Sequence, residues 1–162
     1  MDKKDKVFQK LNELNISYES IDHPPVYTIE AMEDFELNKI GSIAKNLFLK
    51  NSNGKTHYLV ILAGDKKADL KSIKSQIESS SLSFASEERL EKYLGLSKGA
   101  VTPFGIINDE EHLINIIIDN DLKKEKIIGF HPNVNTCTVF ISYDDLIKFI
   151  NTFGNKILYV NV

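Results

Sequence analysis

Apolar residues recur along this chain in two rhythms, and the alternation between them lays out its elements. Val7, Phe8, Leu11 and Leu14 share one side of a 3.6-residue period, which predicts an amphipathic helix over residues 3–14. Residues 16–21 alternate as a short strand, and His23-Pro24-Pro25 ends it, because proline has no N–H to give to a ladder. Thr28 is placed to cap a short helix over residues 29–35, with Glu30 and Glu33 near its positive end. Residues 41–50 and 56–63 then read as two apolar strands. The helical period returns over residues 65–77, with Leu70, Ile73 and Ile77 on one side and Lys67, Lys71 and Lys74 on another. A short strand at 82–84 precedes a helix from Ser86 to Leu94. Ser86 is its cap, Glu87 and Glu88 sit at its positive end, and Gly95 stops it. Three more strands are predicted at 112–119, 126–130 and 136–141. Ser142 then opens a helix that buries Leu146, Ile147, Phe149, Ile150 and Phe153 and stops at Gly154, and residues 157–160 form a last strand. About seven strands interspersed with four or five helices, without repeat or linker, predict an α/β or α+β chain folded as one domain over residues 1–162 around a mixed sheet.

Residues 99–109, Gly-Ala-Val-Thr-Pro-Phe-Gly-Ile-Ile-Asn-Asp, interrupt this pattern. Two glycines and a proline do not suit a helix interior. They suit a tight loop whose backbone N–H groups a ligand can approach, since glycine has no Cβ to hold it off. The apolar neighbours pack such a loop on the core. At this level an ordinary turn and the wall of a site remain equally open.

Gly54-Lys55-Thr56 invites a phosphate-loop reading, but that motif needs a glycine where Leu49 stands. Asn53-Gly54 between two strands is instead a hairpin turn. The lysine side of residues 65–77 has two readings, a solvated face or a handhold for phosphates that needs no base contact.

Composition narrows the class. With 162 residues, 42% hydrophobic content and a mean hydropathy of −0.20, the chain is long enough for a real core. The net charge of −3 does not advertise nucleic-acid binding, although a local basic face works within an acidic total. One cysteine, Cys137, excludes an internal disulfide and fits a reducing compartment. The charged start without an apolar segment after it, and the lack of any run long enough to span a bilayer, predict a cytoplasmic protein that does not engage a membrane.

His23, His57, His112 and His131 are too scattered for a metal motif, and neither metal nor cofactor is expected. Nothing around Cys137 predicts a lowered thiol pKa, so it reads as a buried structural residue. There is no Gly-x-Ser-x-Gly elbow. Three features are left. Lys45 lies in an apolar strand, where an ammonium needs an anion or a mouth to solvent. His131 stands in a polar turn, Phe130-His-Pro-Asn-Val-Asn-Thr136, and Gly99–Pro103 is the third. A cation, an imidazole and exposed amides suit an anionic or ester-bearing ligand.

His23-Pro-Pro-Val-Tyr-Thr28, Ala44-Lys-Asn-Leu-Phe-Leu49, Leu82-Ser-Phe-Ala-Ser86, Gly99-x-x-x-Pro103 with Phe104-Gly105, Asn108-Asp109 and Phe130–Thr136 occur in an order and spacing that resemble the YbaK/ProX family. These are aminoacyl-tRNA deacylases, free-standing relatives of the editing domain inserted in bacterial prolyl-tRNA synthetases. The resemblance covers essentially the whole chain. It implies a mostly antiparallel sheet or partial barrel surrounded by helices, and hydrolysis of mischarged tRNA for proline. The acylated acceptor end would be the substrate and prolyl-tRNA synthetase a candidate docking partner. The segments resemble more the branch that clears alanine, with the cysteine-clearing branch the close competitor and a non-catalytic tRNA-binding module the alternative of a different class.

The same resemblance implies the site. Lys45 matches a lysine that holds the terminal phosphate or ribose. Gly99 matches a glycine whose backbone contacts the substrate and helps position water, and His131 matches a pocket histidine. Thr28, Asn46, Ala100, Pro103, Phe104, Gly105 and Asn135 are the implied substrate-binding positions, and Lys67, Lys71 and Lys74 are the tRNA-binding candidates. Ala100 departs from the Gly-Ser pair of some synthetase-embedded domains, so no hydroxyl acts there. Backbone amides stabilise a developing oxyanion without a charged residue. With no strong general base in the sequence, the ribose hydroxyl of the substrate itself is a candidate assistant.

Overall fold

A computed structural model describes residues 1–64 and 66–162, with the side chains of Ile29 and Met32 outside the description. Helix α1 (Lys3–Glu13) is capped by Asp2, whose carboxylate accepts from the Asp5 N–H, and it buries Val7 and Leu11. Strand β1 (Glu19–Asp22) and the short helix α2 (Ile29–Asp34) follow, and Thr28 Oγ1 caps α2 by accepting from the Ala31 N–H at 3.1 Å. Strands β2 (Ser42–Lys50) and β3 (His57–Ala63) form the predicted hairpin, with Gly54 at φ 70° in its turn.

Helix α3 (Leu70–Gln76) is shorter than the periodicity implied. Asp69 caps it by accepting from the Ser72 N–H, so residues 66–69 precede the helix and Lys67 is not part of its lysine face. Asp65, where the helix was expected to begin, lies outside the described residues. Strand β4 (Ser83–Phe84) and helix α4 (Glu87–Leu94) come next, with the Ser86 cap and the Gly95 stop as read from the sequence.

The glycine-proline stretch was expected to be a loop throughout, and it is one only as far as Thr102. Pro103–Asn108 winds into a 3₁₀ helix, which the Thr102 hydroxyl caps by accepting from the Phe104 N–H. Proline at its first position is tolerated because that N–H has no partner in a helix anyway. Strands β5 (Ile114–Asp119), β6 (Ile127–Phe130) and β7 (Cys137–Ser142), helix α5 (Tyr143–Phe153) and strand β8 (Ile157–Val160) complete the chain. His112, predicted as strand, has φ 56° and ends a turn instead.

The sheet runs β1-β7-β6-β2-β3-β5-β8, with β4 paired to β2 off that path. It is mixed and mostly antiparallel, and it does not close. Its main core lies where Phe48, Leu59, Ile61, Ile116 and Ile118 meet α1, α4, α5 and the 3₁₀ helix. Ile73 of α3 closes a second cluster over Leu49, Val60, Leu62 and Ile117 on the opposite face.

One detail of the pairing creates the site. Strand β2 has β3 along one edge for its whole length, Ala44↔Ala63 to Lys50↔His57. Its other edge meets β6 only at Ser42 and Ile43, and β4 only at Leu49 and Lys50. The stretch between, residues 44–47, has no second strand among the described residues, since Phe48 O already accepts from the Ala85 N–H. An open stretch in the middle of a sheet leaves room for a ligand where a strand would lie.

Candidate active site

A cleft of about 320 Å³ opens at that gap. Ile43, Ala44, Lys45, Asn46 and Leu47 form its floor, Gly99 and Val101 one wall, and Tyr27, Thr28 and His131 the other. Lys45, Gly99, His131 and Thr28, far apart in sequence, therefore face one space.

The second wall is tied down by main-chain bonds. The His23 N–H donates to Thr136 O at 2.9 Å and the Val26 N–H to Asn135 O at 3.3 Å, pinning residues 23–28 against the 131–136 turn. His23 bridges the same two segments, with Nδ1 2.8 Å from Pro24 O and Nε2 2.8 Å from Thr138 Oγ1. A carbonyl only accepts, so Nδ1 carries the proton and the hydroxyl donates to Nε2.

His131 obeys the same logic. Its Nδ1 lies 2.9 Å from Cys137 O and donates to it, which leaves Nε2 as a bare acceptor. Burial pushes its pKa below the ordinary histidine value, and the nearby His23 ring adds to this while the Cys137 carbonyl opposes it. His131 is therefore neutral at pH 7 and a hydrogen-bond acceptor, but a weak base.

Lys45 reaches the cleft from β2, with Nζ 3.4 Å from Lys66 O. Lys66 is itself anchored: its Nζ lies 2.8 Å from Asp119, whose side chain is almost wholly buried, 2.6 Å from Asp121 and 3.0 Å from Val162 O. A buried, multiply bonded ion pair of this kind holds geometry more than it adds stability. Here it holds the carbonyl that steadies Lys45.

At Gly99 the backbone has φ 90°, a conformation that L side chains rarely adopt. The Ala100 N–H donates to Ser97 O at 3.1 Å. Gly99 N–H and Val101 N–H have no main-chain acceptor among the described residues, and both residues line the cleft. The bond from Ala100 to Ser97 closes a turn at Gly99, and the chain becomes extended by Thr102. Gly99 and Val101 face the cleft, while Ala100 (2% exposed) and Thr102 (0%) face the core.

This division relocates several expected substrate contacts. Asn135 stands beside Gly99, with Nδ2 3.5 Å from where a Cβ on Gly99 would be, and Asn46 lies on the floor. Ala100, Pro103, Phe104 and Gly105 are buried behind the wall rather than on it. Phe104 packs edge-on against Phe149 at 5.0 Å and Phe130 at 5.9 Å, so it is a core residue. Phe104→Leu should accordingly lower stability by about 1 kcal/mol, a fall of about 2–4 °C in Tm. KM for an acylated substrate should stay unchanged, whereas a raised KM at unchanged Tm would return Phe104 to the site.

Tyr27, Ile43, Ala44, Leu47 and Val101 line the cleft and were missed from sequence. Tyr27, Ala44 and Leu47 did carry a signal, as neighbours of Thr28, Lys45 and Asn46 in the segments that resemble the family. Lys67 and Lys71 are exposed and Lys74 is half-buried, on the segment that follows Lys66. Cys137 is buried, and burial first, then Asp22, pushes its thiol up to about 11, so it is no nucleophile. Among the described residues, no three His, Cys, Asp or Glu side chains come together as a metal site. Nor is any described helix long and apolar enough to cross a membrane.

The fold and this constellation match a known class. Residues 23–149 fit the family model of the aminoacyl-tRNA editing domain, and the chain belongs to that family of aminoacyl-tRNA deacylases. It is 48% identical over 155 residues to prolyl-tRNA editing protein ProX of Acetoanaerobium sticklandii, covering 96% of this chain and 94% of that one. Prolyl-tRNA synthetase associated domain-containing protein 1 of Mus musculus is 30% identical, with 94% and 92% covered. Among solved structures, hypothetical protein APE2540 superposes with a TM-score of 0.77 at 18% identity, over 96% of this chain and 98% of that one, which shows a shared fold.

Proposed function

We propose that this protein hydrolyses the ester of mischarged tRNA for proline, with alanine as the acyl group it clears. The observation that carries this reading is the convergence of Lys45, Gly99 and His131 on one cleft at the open edge of β2. The 48% identical prolyl-tRNA editing protein supports the choice of tRNA.

In this reading Lys45 holds the terminal phosphate or ribose, a charge-assisted contact. The Gly99 and Val101 N–H groups face the ester carbonyl and stabilise the oxyanion that develops on it. His131 Nε2 accepts a hydrogen bond from the attacking water and orients it. The water oxygen bonds to the carbonyl carbon, the bond to the ribose oxygen breaks, and the departing ribose takes the water proton through its neighbouring hydroxyl. No metal or acid–base triad enters any step.

Alanine is chosen over proline by size. The apolar side chains of Ile43, Ala44, Leu47 and Val101 bound the acyl end, and an apolar pocket separates single methylenes by only about 1–3 kcal/mol. Discrimination therefore relies on exclusion of the proline ring, in a site separate from the one that made the ester. Lys67 and Lys71 continue from the Lys66 segment that steadies Lys45, and they are the proposed phosphate contacts for the acceptor stem. Prolyl-tRNA synthetase is the proposed source of the substrate.

A deacylation panel with alanyl-, cysteinyl-, seryl- and prolyl-tRNA for proline tests this. Alanine release should exceed release of the others. Faster cysteine release would reassign the substrate. Salt-sensitive binding without release of any amino acid would leave a tRNA-binding module and overturn the enzyme.

A further inference from the structure

A second groove, of about 400 Å³, runs along the same open stretch of β2 on the side of β4 and α4. It shares Asn46, Leu47 and Val101 with the cleft, so the two are continuous. We propose that this groove receives the terminal nucleobase of the acylated RNA, stacked on Phe84; the proposal rests on the deacylase reading of the adjoining cleft.

The first argument is connectivity in the substrate. The ester and the terminal base are attached to one ribose, so the base must occupy a space contiguous with the one that holds the ester. Among the described residues, two further cavities share lining residues with the cleft. The other shares Ile43 with it and carries the carboxylates of Glu33 and Glu125, the latter accepting from the Ser42 hydroxyl. Such a wall repels a nucleotide's phosphates. The groove towards α4 is instead walled by Leu47, Phe48, Phe84, Leu90 and Val101. At its rim Lys98 faces Glu87 at 4.0 Å, so the two charges offset each other.

The second argument is Phe84 itself. It sits in the two-residue strand β4, opposite Leu49 of β2, and is 61% exposed. A large aromatic ring held by a sheet yet left in water is out of place for packing. It is well placed for a nucleobase, since bases of any sequence stack on an aromatic face.

The third is Asn46, which lines both cavities. Its Oδ1 is buried and has no hydrogen-bond partner among the described residues. Buried acceptors are nearly always paired. A ribose hydroxyl passing from groove to cleft supplies the missing donor.

The chain contains no tryptophan, so Phe84→Trp introduces a single indole, excited selectively beyond the absorption of the tyrosines, that keeps a stacking face. Titrating this variant with the uncharged trinucleotide CpCpA should quench it, and the same RNA with an abasic 3′ end should not. In deacylation, Phe84→Ala should raise KM for the alanyl-RNA about tenfold at unchanged kcat, and Phe84→Trp should restore it. On alanyl-RNA lacking the terminal base, Phe84→Ala should change nothing. Equal effects on both substrates, no effect on either, or equal quenching by both RNAs would overturn the groove. Absence of deacylation by the unaltered protein would instead overturn the enzymatic reading, and the fluorescence titration would still decide the groove.

Discussion

Lys45→Ala is expected to lower kcat/KM for alanyl-tRNA by about 10- to 150-fold while leaving Tm within a degree or two. A hydrogen bond to a charged group contributes about 1.5–3 kcal/mol, and each 1.4 kcal/mol is a factor of ten. The fold has little at stake. Lys45 pairs with Leu62 through the main chain, which alanine retains, and its side chain leaves the core for the cleft. Lys45→Met separates charge from bulk, because it keeps the length of the stem and discards the ammonium. It should be as impaired as Lys45→Ala. Single-turnover release of alanine measures both variants, and melting measures the fold. Near-normal release by Lys45→Met would show that the stem and not the charge matters, and would remove phosphate or ribose anchoring from the mechanism.

The anchoring of Lys45 shows what the sequence could and could not disclose. The strand that carries it was legible, because Ala44–Leu49 is apolar around one lysine and the Asn-Gly turn fixes the hairpin behind it. The caps at Ser86 and Ser142 and the stops at Gly95 and Gly154 were equally legible, since each depends on residues within one turn. Lys66 and Asp119 were not. Their ion pair joins the end of β3 to the end of β5, and only the parallel pairing of those strands, His57↔Ile114 to Ile61↔Ile118, brings them together.

The same limit applies to the site. Local pattern left Gly99–Pro103 undecided between turn and wall, and the family resemblance set Ala100, Pro103, Phe104 and Gly105 beside Gly99 as substrate contacts. Their separation into wall and core follows from the turn at Gly99 and the 3₁₀ helix after Thr102, where the proline and glycine had masked a helix. Residue chemistry had already set Lys45, Gly99–Pro103 and His131 together as suited to an anionic or ester-bearing ligand, and resemblance to a family gave each a role. The gap in the pairing of β2, which explains why those residues meet there, is a property of the whole sheet.

Gly99→Val is expected to lower kcat/KM by about 10²–10³-fold, the typical cost of one lost oxyanion donor, with a smaller loss of stability. Two causes act at this position, and they make different predictions. A Cβ would stand 2.6 Å from Tyr27 Cδ1 and 2.9 Å from its Cε1, inside contact distance. Yet Tyr27 is 71% exposed, so its ring is free to swing away at little cost. The φ of 90° has no such escape. A β-branched residue in that region is strained by about 1–3 kcal/mol, and the loop relieves the strain by rotating its peptide planes. Rotation turns the Gly99 and Val101 N–H groups away from the carbonyl they are proposed to face. Combining Gly99→Val with Tyr27→Ala tells the two apart, since removing the ring relieves the clash but not the backbone strain. The double variant should stay as inactive as Gly99→Val, with Tm lowered by only a few degrees. Recovery of activity in the double variant would assign the defect to the ring, and outright unfolding of Gly99→Val would make the loop's structural role the larger one. A folded, inactive double variant would place the function of Gly99 in its backbone geometry, the one property that no side chain at this position replaces.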